Sequence, residues 1–150
     1  EKRRQELGDK IGQPIKVTLP DDSVKEAKAY ETTPYDIALS ISQGLAQNVV
    51  VAKVNGQLWD LGRPIETDSS LELLKWDSKE AQKVFWHSSS HVMGEAMERV
   101  FGCLLCKGPP MEEGGFYYEA FMQDQIVHES DYTKLQQEVN KIVKESITSI

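Results

Sequence analysis

The sequence predicts an α+β fold in two successive parts, and three observations predict it. Residues 14–76 set strand-like runs and turn clusters around a short helical stripe. Residues 77–101 read as a long helix that carries two of the three histidines. A second amphipathic stretch follows Asp131. At 150 residues, with 39% hydrophobic and 27% charged residues, the chain has the makeup of one globular domain or two small ones. Its net charge of −7 argues against gripping nucleic acid by bulk electrostatics. No apolar run approaches bilayer-spanning length and no signal peptide opens the chain. Cys103 and Cys106 make no disulfide framework, so a reducing, intracellular setting is expected.

Residues 1–13 are a charged lead-in with nothing that suggests chemistry. Ile15, Val17 and Leu19 then alternate with Lys16 and Thr18, the period of a half-buried strand. Pro20-Asp21-Asp22-Ser23 is a turn cluster and Val24 to Tyr30 a partner strand, so 15–30 reads as a hairpin; Ala27 and Ala29 weaken its second arm. Thr33-Pro34 starts a helix, with Thr as N-cap, Pro at the first helical position and Asp36 at the positive end of the dipole. Ile37, Ile41 and Leu45, with Ala38 and Ala46, give it one core-facing stripe up to Ala46-Gln47-Asn48. Val49 to Val54 is a β-branched run suited to an interior strand. Asn55-Gly56 is a hairpin turn, Gln57 to Leu61 the short return, and Gly62-Arg63-Pro64 a break. After the turn-rich 66–70, Leu71 to Trp76 is the last strand. Hairpin, helix, strand, hairpin and strand in this order are the β-grasp arrangement, and about 62 residues suffice for one core.

Ser78 or Asp77 starts the long helix and Gly102 ends it. His87 and His91 stand four residues apart on it. At about 100° per residue they project roughly 40° apart, side by side. Ser90, Gly94 and Glu98 share that sector, and Ser90 and Gly94 leave room beside the rings, whereas Phe85, Val92, Ala96 and Val100 form an apolar packing face, with Met93 nearby. Paired histidines are equally at home as solvated surface residues. They are also spaced as zinc ligands, but a hydrolytic zinc helix needs Glu directly after the first His, where Ser88 stands. Glu95 and Glu98 either orient the rings or are solvated. Cys103-Leu104-Leu105-Cys106 precedes the breaker Gly108-Pro109-Pro110; 114–119 is aromatic and strand-prone; Asp131 caps a final helix with the stripe Leu135, Val139, Ile142 and Val143.

Lys16-Val17-Thr18-Leu19-Pro20-Asp21, Thr33-Pro34-Tyr35-Asp36-Ile37-Ala38, Ala52-Lys53-Val54-Asn55-Gly56 and Leu58-Trp59-Asp60-Leu61 resemble the TGS domain. That domain is a ubiquitin-like β-grasp module shared by threonyl-tRNA synthetases, certain GTPases and (p)ppGpp synthetases. Trp86-His87-Ser88-Ser89-Ser90-His91, Gly94-Glu95-Ala96, Gly108-Pro109-Pro110 and Gly115-Phe116-Tyr117-Tyr118 resemble the start of the editing domain of threonyl-tRNA synthetases, in wording closest to the eukaryotic cytoplasmic type. Alanyl-tRNA synthetases share the His-x-x-x-His helix but lack a TGS domain in front. The resemblance covers roughly residues 15–145 and implies a lead-in (1–13), a TGS domain (14–76) and the first part of an editing domain (77–150).

The resemblance implies a cytoplasmic parent enzyme that joins threonine to tRNA(Thr) with ATP and hydrolyses mischarged Ser-tRNA(Thr). His87 and His91 match the helix histidines that handle water and protons there. Gly108 and Tyr118 match positions lining the editing pocket, and Ser90 is taken with them as a substrate contact. The implied partner is the acceptor end of tRNA(Thr), with a homodimer formed through the aminoacylation core. ATP, Mg and Zn would belong to that core, so none is expected in these residues. The family's second editing motif, Cys-x-x-x-His with nearby Asp and Lys, is missing, because Asp124 stands where a cysteine would precede His128. Residues 108–118 run one longer than Gly-Pro-x-x-x-x-Gly-Phe-Tyr-Tyr, with Gly114-Gly115 for Asn-Gly. The expectation is a fragment or short form with half an editing site, inactive alone. The rival expectations are a non-enzymatic RNA- or protein-binding TGS module, and a metalloprotein built on the His and Cys pairs.

Overall fold

A computed structural model describes residues 8–108 and 115–148, and its contacts divide the chain after Ala81 into two units. Most of the expected lead-in, together with Pro109, Pro110 and Gly114, lies outside the described residues. The first unit holds β1 (Pro14–Thr18), β2 (Val24–Lys28), α1 (Pro34–Ile41), α2 (Gln43–Asn48), β3 (Val49–Val54), β4 (Gln57–Trp59) and β5 (Ser69–Lys75). The strands form one sheet in the order β2-β1-β5-β3-β4. The β1–β5 pairing is parallel, and β1–β2, β3–β4 and β3–β5 are antiparallel.

The period-2 pattern does in β1 what it promises. Ile15 and Val17 face the core, and Ala27 and Ala29, the poor strand formers of the second arm, face it as well. Small side chains there let the sheet approach Ile37 of α1 in the same cluster. Asn55 (φ 50°) and Gly56 (φ 77°) make the left-handed pair that a two-residue hairpin needs. Asn55 also reaches sideways: its Oδ1 accepts from the Ser70 N–H at 2.9 Å, and its Nδ2 donates to Ser69 Oγ at 3.2 Å. Those bonds explain why β5 starts at Ser69, two residues before the strand read from the sequence. β4 is shorter than expected, ending at Trp59, where the Arg63 guanidinium stacks 3.7 Å from the indole.

The single helix expected from Thr33 to Ala46 is two. Ser42 is extended (φ −165°, ψ 148°), closes α1 by donating its N–H to the Ala38 carbonyl, and opens α2 by accepting the Leu45 N–H on its hydroxyl. The stripe is accordingly cut. Pro34, Ile37 and Ala38 are buried, while Ile41 turns outward. The start of α1 matches the reading: Thr33 Oγ1 accepts the Asp36 N–H at 3.1 Å and Asp36 Oδ2 accepts the Thr33 N–H at 2.9 Å, a reciprocal box. Thr33→Ala should cost about 0.5–2 kcal/mol, read as a lower denaturant midpoint for the first unit with an unchanged slope. Ile65, in a loop the sequence marks only as a break, is fully buried; Tyr30 N–H donates to its carbonyl and its own N–H donates to Thr32.

The second unit begins at Gln82, within α3 (Lys79–Phe101), and continues with β6 (Leu104–Lys107), β7 (Glu119–Phe121) and α4 (Tyr132–Thr148). Glu80, before the division, pairs with Lys53 of β3 at 2.8 Å. Gly102 (φ 63°) ends α3, its N–H donating to the Glu98 carbonyl at 2.8 Å. The stretch after Cys103 becomes β6, which holds Cys106 and pairs antiparallel with β7 through Leu104↔Phe121 and Leu105↔Ala120. The strand expected over the aromatic run lies further on, and 115–118 is irregular. Asp131 sits just before α4, its carboxylate accepting the His128 N–H at 3.1 Å. That bond holds the Asp131 carboxyl below the usual carboxylate range.

Candidate functional site

α3 carries the candidate site because its four-residue repeat stacks His87 under His91 on one face. Both imidazoles are exposed. Their Nε2 atoms lie 3.0 Å apart, with ring centroids 4.5 Å apart and planes at 79°. At that separation one Nε2 donates and the other accepts. On neutral rings this leaves one Nδ1 as an acceptor and the other as a donor.

The surroundings differ from the open sector expected. Ser90 is 1% exposed and its hydroxyl donates to the His87 carbonyl at 2.7 Å. The substrate contact expected of Ser90 therefore gives way to a packing role, with its polar atom committed to the helix backbone. Gly94 is buried against Leu105 of β6 and the ring of Tyr118. The histidines thus stand at the rim of a packed face. The small residues attract the β6–β7 hairpin because they let it come close to the helix. Ala96 is buried as expected, whereas Phe85, placed on the packing face by the sequence, is 43% exposed. It lines, with Val92, Met93, Phe116, Val139 and Val143, an apolar cleft of about 360 Å³ beside α4.

Tyr118 reaches the histidine helix at Gly94. Gly108 is exposed just past the end of β6, and among the described residues nothing lies within 4 Å of where its Cβ would stand. Glu95 is engaged elsewhere: Arg99 pairs with it at 2.6 Å. Among the described residues, no three His, Cys, Asp or Glu side chains gather as a metal set. Cys103 is buried, and burial raises its thiol pKa; Cys106 is exposed. No described helix is long and apolar enough to cross a membrane.

Residues 15–75 match the TGS domain family. Beyond that domain, the chain is 56% identical over 139 residues to cytoplasmic threonine--tRNA ligase 1 of Rattus norvegicus, covering 93% of this chain and 20% of that protein. It is 54% identical over 140 residues to the Homo sapiens counterpart, covering 93% and 19%. Over nearly its whole length the chain is similar to threonyl-tRNA synthetases. It spans about a fifth of the length of the curated relatives it matches. Against the Caenorhabditis elegans cytoplasmic threonine--tRNA ligase it keeps 51% identity over 140 residues, covering 93% of this chain and 19% of that protein. The β-grasp order of the TGS domain is the ubiquitin-like arrangement.

The helix that carries the histidines is tied to α4 through Arg99, a feature the sequence hides because its partners are distant in the chain. The guanidinium meets Glu138 at 3.0 Å and Glu145 at 3.1 Å as well as Glu95. The Arg99 hydrogen bond is the main reason the Glu138 carboxyl sits below its ordinary value of 4.5. A depressed acid contributes stability that is present above its unfolded pKa and lost as pH falls through the folded one. Protection of α4 amides from hydrogen exchange should therefore weaken as pH drops below about 4.5. Arg99→Gln should flatten that dependence, and an equally steep curve in the variant would contradict it.

Proposed function

We propose that these residues serve a cytoplasmic threonine--tRNA ligase, the first unit as a tRNA acceptor-arm module and the second as part of a site that hydrolyses Ser-tRNA(Thr). Serine lacks only one methyl of threonine, and a methyl is worth about 1–3 kcal/mol in a pocket, too little for faithful translation. A second, hydrolytic sieve is the chemical answer. The observation that carries the reading is the pair of exposed imidazoles with Nε2 atoms 3.0 Å apart, in a chain 54% identical to the human cytoplasmic ligase.

Ester hydrolysis needs a positioned water, a group to take its proton and a donor for the developing negative charge. A hydrogen-bonded neutral pair of imidazoles offers one acceptor and one donor nitrogen on adjacent rings. Tyr118 would wall the site, and Gly108 would stand at its edge near the terminal adenosine. ATP, magnesium and zinc would belong to the aminoacylation region of the parent enzyme, which would also form the homodimer.

The test is a graft. These residues replace the corresponding segment of a full-length cytoplasmic relative, and clearance of preformed Ser-tRNA(Thr) is followed. Hydrolysis at a rate comparable to the unaltered relative is expected. A graft that charges tRNA(Thr) normally but leaves Ser-tRNA(Thr) intact would refute the reading.

A further inference from the structure

We propose that Gly94 is a positioning residue for the histidine site, its missing side chain being what lets the Tyr118 ring lie against α3 on the face that carries the histidines. The inference rests on the hydrolytic reading above. Around the helix Gly94 lies about 60° from His91 and about 20° from His87, so the three share one face. A Cβ at position 94 would stand 3.1 Å from Tyr118 Cζ, 3.2 Å from its Cε2 and 2.9 Å from Leu105 Cδ1. The nearest ring atom is the one that bears the hydroxyl. The phenol end of Tyr118, not its stem, therefore rests on this face of the helix.

Two neighbours meet that notch, and they yield differently. Leu105 Cδ1 is the end of a flexible side chain and can swing aside. The Tyr118 ring is rigid, and its backbone leads directly into β7, where Ala120 is paired with Leu105. An added methyl at position 94 is therefore relieved in part by moving the phenol, by a few tenths of an ångström. Hydrolytic sites lose rate steeply with displacements on this scale, because the reacting atoms must be held in a near-attack geometry. Alanine is also the stronger helix former, so Gly94→Ala separates misplacement from unfolding: helix content should hold or rise while the chemistry fails.

In the full-length graft, Gly94→Ala should slow Ser-tRNA(Thr) hydrolysis about tenfold with circular dichroism unchanged. In a Tyr118→Ala background the same substitution should add less than about twofold, because the ring it displaces is gone. Full hydrolysis by Gly94→Ala, or an equal drop in both backgrounds, would overturn the proposal. If His87→Ala leaves hydrolysis unchanged, the hydrolytic reading itself fails, and the seating of Tyr118 is then read by NMR on this chain. A Gly94 Hα resonance shifted upfield by the ring, and returning in Tyr118→Leu, supports the seating; an unshifted resonance overturns it.

Discussion

His87→Ala and His91→Ala should each slow Ser-tRNA(Thr) hydrolysis by about 100-fold or more in a full-length graft, the range expected when a positioned acid–base group is removed. The two losses should not add. With Nε2 atoms 3.0 Å apart, each ring fixes the tautomer of the other. Removing either leaves a lone imidazole free to take the wrong tautomer, and the double variant should be scarcely slower than a single one. Both rings are exposed, so alanine there creates no cavity and folding should be intact. Independent losses that multiply in the double variant would mean two separate roles.

The largest effect on stability should come from Leu71→Ala. Leu71 is fully buried in β5, which lies between β1 and β3. Truncating a buried leucine costs about 2–5 kcal/mol, because the cavity only partly collapses. A unit of this size has roughly 4–12 kcal/mol of total stability, so the variant should melt at least about 10 °C lower. Val24, 53% exposed in β2, is the control; Val24→Ala should stay within about 0.5 kcal/mol. Equal losses at the two positions would mean that the sheet does not bury β5 as described.

Local chemistry made much of this legible before any coordinates. Asn55-Gly56 announces its hairpin because few residues accept positive φ. Thr33-Pro34 announces a helix start because cap and ring geometry are set within a few residues. The side-by-side histidines follow from helical spacing alone. What escaped depends on partners far along the chain. Ser42 breaks a stripe whose apolar spacing continues past it, and its hydroxyl caps the second piece. Ser69 and Ser70 look like turn residues until Asn55 bonds them into β5. The Cys-x-x-Cys spacing that runs from Cys103 into β6 draws attention to metal chemistry, while the pairing of β6 with β7 leaves no local trace. Ser90 and Gly94 read as empty space beside the rings, because a wheel cannot show that a hairpin arrives there. The same small side chains that suggest room are what permit close packing.

Much rests on the two imidazoles of α3 forming one hydrogen-bonded pair. A long-range ¹H–¹⁵N correlation spectrum of the chain at neutral pH tests it most directly. Opposite tautomers are expected, one ring protonated at Nε2 and the other at Nδ1, with both signals changed when either histidine is replaced. Two rings of ordinary mixed tautomer, each indifferent to loss of the other, would contradict it.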